Sequence, residues 1–493
     1  MKTIRLLTLT LALLLLCACA PALAEKKLLT CGDFQYRLSG DGGAVLTGYT
    51  GPEGEVVIPD KLDGHPVTGV EGNPFFNPYK YKILNCTFKV ARDHPCLATI
   101  GGVLFCKTDR RLVCYTPSAQ GPYEIPQGIE SIGNNAFYKC SGLTGVTIPD
   151  SVTSIGYGAF WGCTGLTDVS IPDSVTTIGN MAFHGCKGLT AVTIPNSVTS
   201  IGSGEFYECT GLTNVTIPDS VTSIGNMAFQ GCKGLADVTI PDSVTAIGDV
   251  AFALCDGLTA VTIPDSVTSI GFVAFSSCAK LKAIVVSPGN PVYADLDGVL
   301  YTKALDSIVA YPAGKEESAY RIPAGVTSIG DYAFAYCGGL TSVTIPDSVT
   351  SIGEAAFGRC GGLTSVSIPD SVTSIGAYAF ADCTGLTSVT IPDSVTNIGE
   401  KAFASCTGLT NVTIPDSVTS IGEGAFKGCS GLTNVTIPDS VTSIGKNVFD
   451  KCGEGFTVTC GEGSYAEAWC RENGVAFVYP QPDYTEAPED WLY

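Results

Sequence analysis

The chain holds only three imidazoles, His65, His94 and His184, and they lie far apart in sequence. Neither HExxH nor CxxC occurs. A zinc site needs three or four His or Cys side chains at one point, and histidine-based catalysis needs an imidazole beside a nucleophile. Neither set is supplied, so no metal, no cofactor and no catalytic residue is assigned, and the chain is not expected to be an enzyme. Cysteine is abundant, with 22 residues. Thirteen of them recur every 23 residues in two series, from Cys140 to Cys278 and from Cys337 to Cys452. A phenylalanine stands three positions before each one, and the residue after that phenylalanine varies most. It reads Tyr138, Trp161, His184 and Tyr207 in consecutive units, then Gln230, Ala253 and Ser276. Four ring residues about one strand spacing apart on an outer face would form a contact strip for protein or glycan, or an aromatic stack covering the edge of the fold.

Other recurring side chains have local explanations. The aspartate column from Asp150 to Asp439, with Asn196 in one place, suits a turn residue that bonds the backbone two positions on. It could also collect calcium, but the Gly- and Asp-rich nonapeptide of calcium-binding coils is absent. A Thr/Ser column, including Thr147, Ser170 and Thr193, could in principle face ice, yet β-propensity accounts for it. Glu205 replaces an alanine that recurs before phenylalanine. A buried carboxylate would be costly, so Glu205 is expected to point outward through an altered turn.

The elements that must position these residues follow from the repeat GLTxVTIPDSVTSIGxxAFxxCx. Leu143, Val146 and Ile148 have the spacing of a leucine-rich-repeat strand, which Pro149 ends because proline donates no ladder bond. Val152 and Ile155 belong to a second extended piece. Ala159, Phe160 and Cys163 follow in a short helical or 3-10 turn. One such coil cannot bury eight apolar side chains alone; a stack can. Thirteen coils at about 4.8 Å each give a solenoid roughly 60 Å long. Parallel side chains in adjacent coils hold Cβ atoms near 5 Å apart, beyond usual disulfide reach, so the periodic cysteines read as buried, reduced, small hydrophobes.

The motif LTxVTIPxSVTSIGxxAFxxC resembles the BspA-like, or Treponema-type, leucine-rich repeat family of bacterial surface proteins, over residues 124–452. The resemblance implies a capped repeat solenoid of parallel strands. Residues 25–80 look like the family's N-terminal hairpin cap and residues 453–479 like its C-terminal cap. It also implies an exported protein that binds host matrix proteins or other cells, with a structural or self-associating surface scaffold as the alternative.

Two stretches interrupt the repeats. The segment from His94 parallels the one from Asn290, and both lead into IPxGxxSIGxxAF. The chain therefore reads as a hairpin module (81–123), seven repeats (124–278), a second module (279–321), six repeats (322–452) and, after the cap, a flexible acidic tail (480–493). In the first module Cys106 and Cys114 flank a turn centred on Arg110, which would place them opposite each other as a disulfide. The second copy lacks both at once, with Thr302 and Ala310 in their places. Cys96 is a rival partner for Cys106. Cys460 with Cys470 is a second candidate pair.

Residues 1–24 read as an export segment, with Lys2 and Arg5 before an apolar run over residues 6–16 that is too short to span a bilayer. Two processing readings compete: cleavage after Ala22-Leu23-Ala24, or a lipobox at Leu16-Cys17-Ala18-Cys19 that leaves a lipid on Cys19. Secretion or the bacterial cell surface follows in either case, with no membrane span in the mature chain. Across 493 residues the net charge is −20, which opposes nucleic acid and anionic membranes as partners.

Overall fold

The computed structural model describes residues 27–480. The export segment, Cys19 and the acidic tail beyond Pro480 lie outside the described residues. The repeats wind into a β-solenoid whose coils have three sides. Strands such as Asp168–Ser170 form the first side. Two-residue strands such as Thr177–Ile178 form the second. Pairing is parallel and in register at one repeat: Val146 lies beside Val169, Val343 beside Val366, and Ile352 beside Ile375.

The third side, where a short helical or 3-10 turn was expected, is a series of hydrogen-bonded turns. Two residues per coil adopt a left-handed conformation and keep a helix from propagating. They stand before the alanine and before the cysteine, as at Tyr332 (φ 59°) and Tyr336 (φ 65°). Their amides, and that of the phenylalanine, cross to the next coil: Asn135 N donates to Tyr157 O at 2.8 Å and Phe160 N to Ala182 O at 2.7 Å. The coil thus satisfies only part of its main chain on this side by itself, as Cys140 N to Phe137 O at 3.1 Å, and needs its neighbour for the rest.

The eight inward positions fill the core. Leu143, Val146, Ile148, Val152, Ile155, Ala159, Phe160 and Cys163 are all buried. Phenylalanines stack nearly parallel, as Phe160 on Phe183 at 5.2 Å and 4°. From Cys163 onward the periodic cysteines cap what precedes their coil: Cys163 Sγ donates to Phe137 O at 3.0 Å and Cys360 Sγ to Phe334 O at 3.0 Å. Burial pushes the thiols of Cys186 and Cys232 well above their ordinary range. All cysteines of the described residues are free thiols.

The two hairpin modules start the two runs of coils. Leu97–Ile100, Val103–Cys106 and Arg111–Cys114 form an antiparallel meander that continues in parallel into Ser131–Ile132. Tyr293–Leu296, Val299–Thr302 and Ser307–Ala310 repeat the arrangement, leading into Ser328–Ile329. Alternation along a strand lets one element serve two cores. Val103 and Phe105 join the core of the first run, whereas Leu104 and Cys106 join that of the N-terminal cap. Leu300 likewise faces the first run, with Val299 and Tyr301 facing the second. Tyr115 and Tyr311 begin the ring ladders, stacking on Phe137 at 4.9 Å and on Phe334 at 5.0 Å.

The register corrects the expected Cys106–Cys114 bond. Cys106 lies opposite Arg111 and Leu104 opposite Cys114, with a bulge between Leu104 and Phe105. Arg110 is left-handed (φ 48°), so a four-residue turn closes the hairpin and moves the thiols out of opposition. Burial pushes Cys114 up to about 12. Cys460, ending strand Thr457–Cys460, and Cys470, on helix Tyr465–Asn473, are also separate thiols in the C-terminal core, correcting the second pair. Burial raises Cys470 to about 11, which disfavours the thiolate that disulfide exchange requires.

Two expectations follow. The buried periodic cysteines should react slowly with a thiol reagent in native protein and quickly in denaturant; recovery of adjacent-coil disulfides by mass spectrometry would contradict the packing. Val250 is a half-buried β-branched residue held at φ 60°. Val250→Gly should raise the thermal midpoint, because about 1 kcal/mol of left-handed strain is relieved; a lower midpoint would show that the side chain's packing outweighs it.

Candidate binding face

The residue after each phenylalanine sits between the two left-handed positions, so its side chain leaves the coil on the turn side. Its amide closes its own turn and its carbonyl accepts from the preceding coil, as Trp161 N to Gly158 O at 3.0 Å and Lys139 N to Trp161 O at 2.6 Å, which fixes that direction. The four rings named from the sequence do form one continuous stack. Tyr138 and Trp161 are 5.8 Å apart, Trp161 and His184 4.1 Å, and His184 and Tyr207 4.6 Å at 9°.

Their exposure differs from the expectation of a uniform outer strip. Tyr138 is only 1% exposed. The N-terminal cap covers it: Phe76 lies 4.7 Å from its ring, and its hydroxyl donates to Tyr81 O at 3.2 Å. Tyr138 is therefore part of the cap's core rather than of a binding face. Trp161, packed against that core, is half-buried and has Tyr81 at 6.2 Å. His184 and Tyr207, also half-buried, continue the stack away from the cap. The face that can meet a partner is Trp161, His184 and Tyr207, joined at the cap end by Tyr81, which is 44% exposed. Sequence reasoning missed Tyr81 because it lies outside the repeat and reaches the strip only through cap packing.

His184 is held neutral. Burial, with help from Lys187, lowers its imidazole to about 4, and Nδ1 has no hydrogen-bond partner. The imidazole therefore acts as an uncharged aromatic plate between Trp161 and Tyr207.

Glu205 overturns the expectation that it points outward; it is fully buried. The main chain dictates this: Phe183 N donates to Glu205 O at 2.9 Å, fixing residue 205 in the column where Ala182 and Ala228 face inward. The carboxyl accepts one bond, from Gly202 N to Oε2 at 2.7 Å, and Oε1 has none. Burial pushes it up to about 8, so it is a neutral acid in most molecules at neutral pH.

The aspartate column is exposed at the Pro-Asp-Ser-Val turns, which close through Val N to Pro O, as from Val152 to Pro149 at 2.9 Å. Among the described residues no group of three potential metal-ligating side chains occurs. No described helix is long and apolar enough to cross a membrane.

Comparison with known proteins gives a consistent result. The family described as BspA-type leucine-rich repeat region matches residues 114–235, 199–293 and 322–454. A leucine-rich cell surface protein of Faecalibacterium prausnitzii A2-165 is 36% identical, over 83% of this chain and 94% of that one, with a TM-score of 0.53. The pneumococcal vaccine antigen PcpA is 18% identical over 93% of this chain and 99% of its own, with a TM-score of 0.49. A leucine-rich repeat protein of Bacteroides ovatus is 25% identical over 92% of this chain and 100% of its own, at 0.43. No curated protein matches.

Glu205 generates a pH prediction. An unfolded carboxyl titrates near 4.5 and the folded one near 8. Between these values the folded state keeps a proton that the unfolded chain releases, so stability falls as pH rises through that window. Glu205→Gln and Glu205→Ala should both flatten this decline and stabilise the fold at about pH 8 by on the order of a few kcal/mol, seen as a higher thermal midpoint. Midpoints measured from about pH 4.5 to 8.5 check it; an unchanged slope in both variants would refute the assignment.

Proposed function

Because the chain belongs to the BspA-type leucine-rich repeat family, we propose that it is an exported, surface-located adhesin-like protein that binds a protein or glycan on host matrix or on neighbouring cells. The observation that carries this reading is the outward run of Trp161, His184 and Tyr207. Large rings on a rigid backbone lose little conformational entropy on contact, and Trp and Tyr dominate binding hot spots. The repeat fixes its inside and leaves turn-side positions free to vary, which suits a recognition surface. The reading gives the chain a binding role and no reaction. The net charge of −20 favours partners that are neutral or basic.

The test is capture of host matrix proteins and neighbouring bacteria by a protein of residues 25–493. Trp161→Ala should weaken capture about tenfold or more, with an unchanged circular dichroism spectrum. Full capture by Trp161→Ala would reject the strip. Concentration-dependent assembly with no partner captured would favour the scaffold reading.

A further inference from the structure

The column after phenylalanine is filled with rings at the start of the first run and with small residues at the start of the second. There it reads Ala335, Gly358, Ala381 and Ala404 before Lys427 and Asp450. The bulk has moved to the two flanking left-handed columns. Tyr332 and Tyr378 precede the alanine, at φ 59° and 57°. Tyr336, Arg359 and Asp382 precede the cysteine, at φ 65°, 61° and 58°. Small residues thus form a floor and rings form walls, enclosing a trough of about 260 Å³.

The walls are held in place. Tyr332 Oη donates to Glu354 Oε1 at 3.1 Å. Tyr378 Oη donates to Glu400 Oε1 at 3.2 Å and accepts from Lys401 Nζ at 2.7 Å. Tyr336 Oη accepts from Arg359 Nη1 at 2.7 Å, and the same guanidinium lies 5.0 Å from the Tyr336 ring centre and 3.4 Å from Asp382. Across the second hairpin module Phe272 meets Tyr332 edge-on at 4.3 Å. The lining amides are all used: those of Tyr332, Tyr336, Ala355, Arg359, Tyr378 and Asp382 donate to the following coil at 2.7–2.8 Å, and those of the small floor residues donate within their own coils at 2.9 Å.

We propose that this trough binds a neutral, linear oligosaccharide. Sugar rings present an apolar C–H face, which suits the tyrosine faces, and a rim of hydroxyls that both donate and accept. The trough edge offers both kinds of partner in Arg359, Lys401, Glu354, Asp382 and Glu400. A peptide taken up by strand addition needs free main-chain groups, and the trough offers none of the amides named above. The acidic chain disfavours an anionic glycan. The volume lies below the roughly 300–1,000 Å³ of enclosed ligand pockets, so one ring of an extended polymer fits at a time. Tyr332 and Tyr378 occupy the same column two coils apart, about 10 Å, a repeat that a linear polymer along the solenoid axis can follow. This site is separate from the Trp161 strip, and its failure would leave that reading standing.

The test is a printed array of linear glucans, chitooligosaccharides and mannans beside sulfated and sialylated glycans, with a peptide array in parallel, probed with the protein of residues 25–493. Saturable binding to neutral linear glycans is expected. Tyr378→Ala should weaken it about tenfold, and Tyr378→Phe should largely keep it. Ala381→Gln should also abolish it by filling the floor; Gln230 already occupies that column in the first run, so the fold accommodates it. Trp161→Ala should leave it unchanged. Binding confined to charged glycans or to peptides, no glycan binding at all, or neutral-glycan binding indifferent to Ala381→Gln would overturn the proposal.

Discussion

A 23-residue coil has no core and no complete hydrogen-bond set of its own. On the turn side its amides reach forward to the next coil, as Phe137 N does to Ala159 O at 2.7 Å. On the strand sides every ladder bond is to a neighbour. Each coil is therefore stable only as a member of a stack, and each end of a stack must be closed by something that is not a coil. The cap, the two meanders and the C-terminal helix follow from that requirement. The meanders meet it by turning alternate side chains of one strand into two cores.

The periodic cysteine answers a smaller form of the same requirement. The carbonyl of Phe137 accepts from Cys140 N at 3.1 Å in its own coil and from Cys163 Sγ at 3.0 Å in the next. A thiol is small and apolar enough for the core yet still donates weakly to that second lone pair. Serine would present a stronger polar group to an otherwise apolar site, and alanine would leave the lone pair unmatched. At Cys337 the acceptor is Tyr311 O, at 3.7 Å, where the meander supplies the residue that a preceding coil would have supplied.

The repeat's period and its eight inward positions were legible because both are set locally, by alternation and by Pro and Gly punctuation. Three features were not. Tyr138 shares its column with Trp161, but its burial depends on Phe76 and Tyr81, more than 50 residues away in sequence. Glu205 carries a charge that argues for the surface, yet the main chain had already fixed the direction of its Cβ, and protonation was the cheaper adjustment. The Cys106 register turned on one left-handed arginine and one bulge, neither of which residue types announce. The trough walls escaped notice because a single column was read at a time, whereas Tyr332 and Tyr336 act together from two columns.

Ring centres lie farther apart toward the end of each run, going from 4.8 Å at Phe137 and Phe160 to 5.6 Å at Phe252 and Phe275, and from 4.9 Å at Phe334 and Phe357 to 5.9 Å at Phe426 and Phe449. Units of nearly identical sequence are therefore not interchangeable parts. Each phenylalanine meets its neighbour at a distance that depends on where its unit stands relative to the meander that starts the run, so the same substitution need not cost the same in every unit.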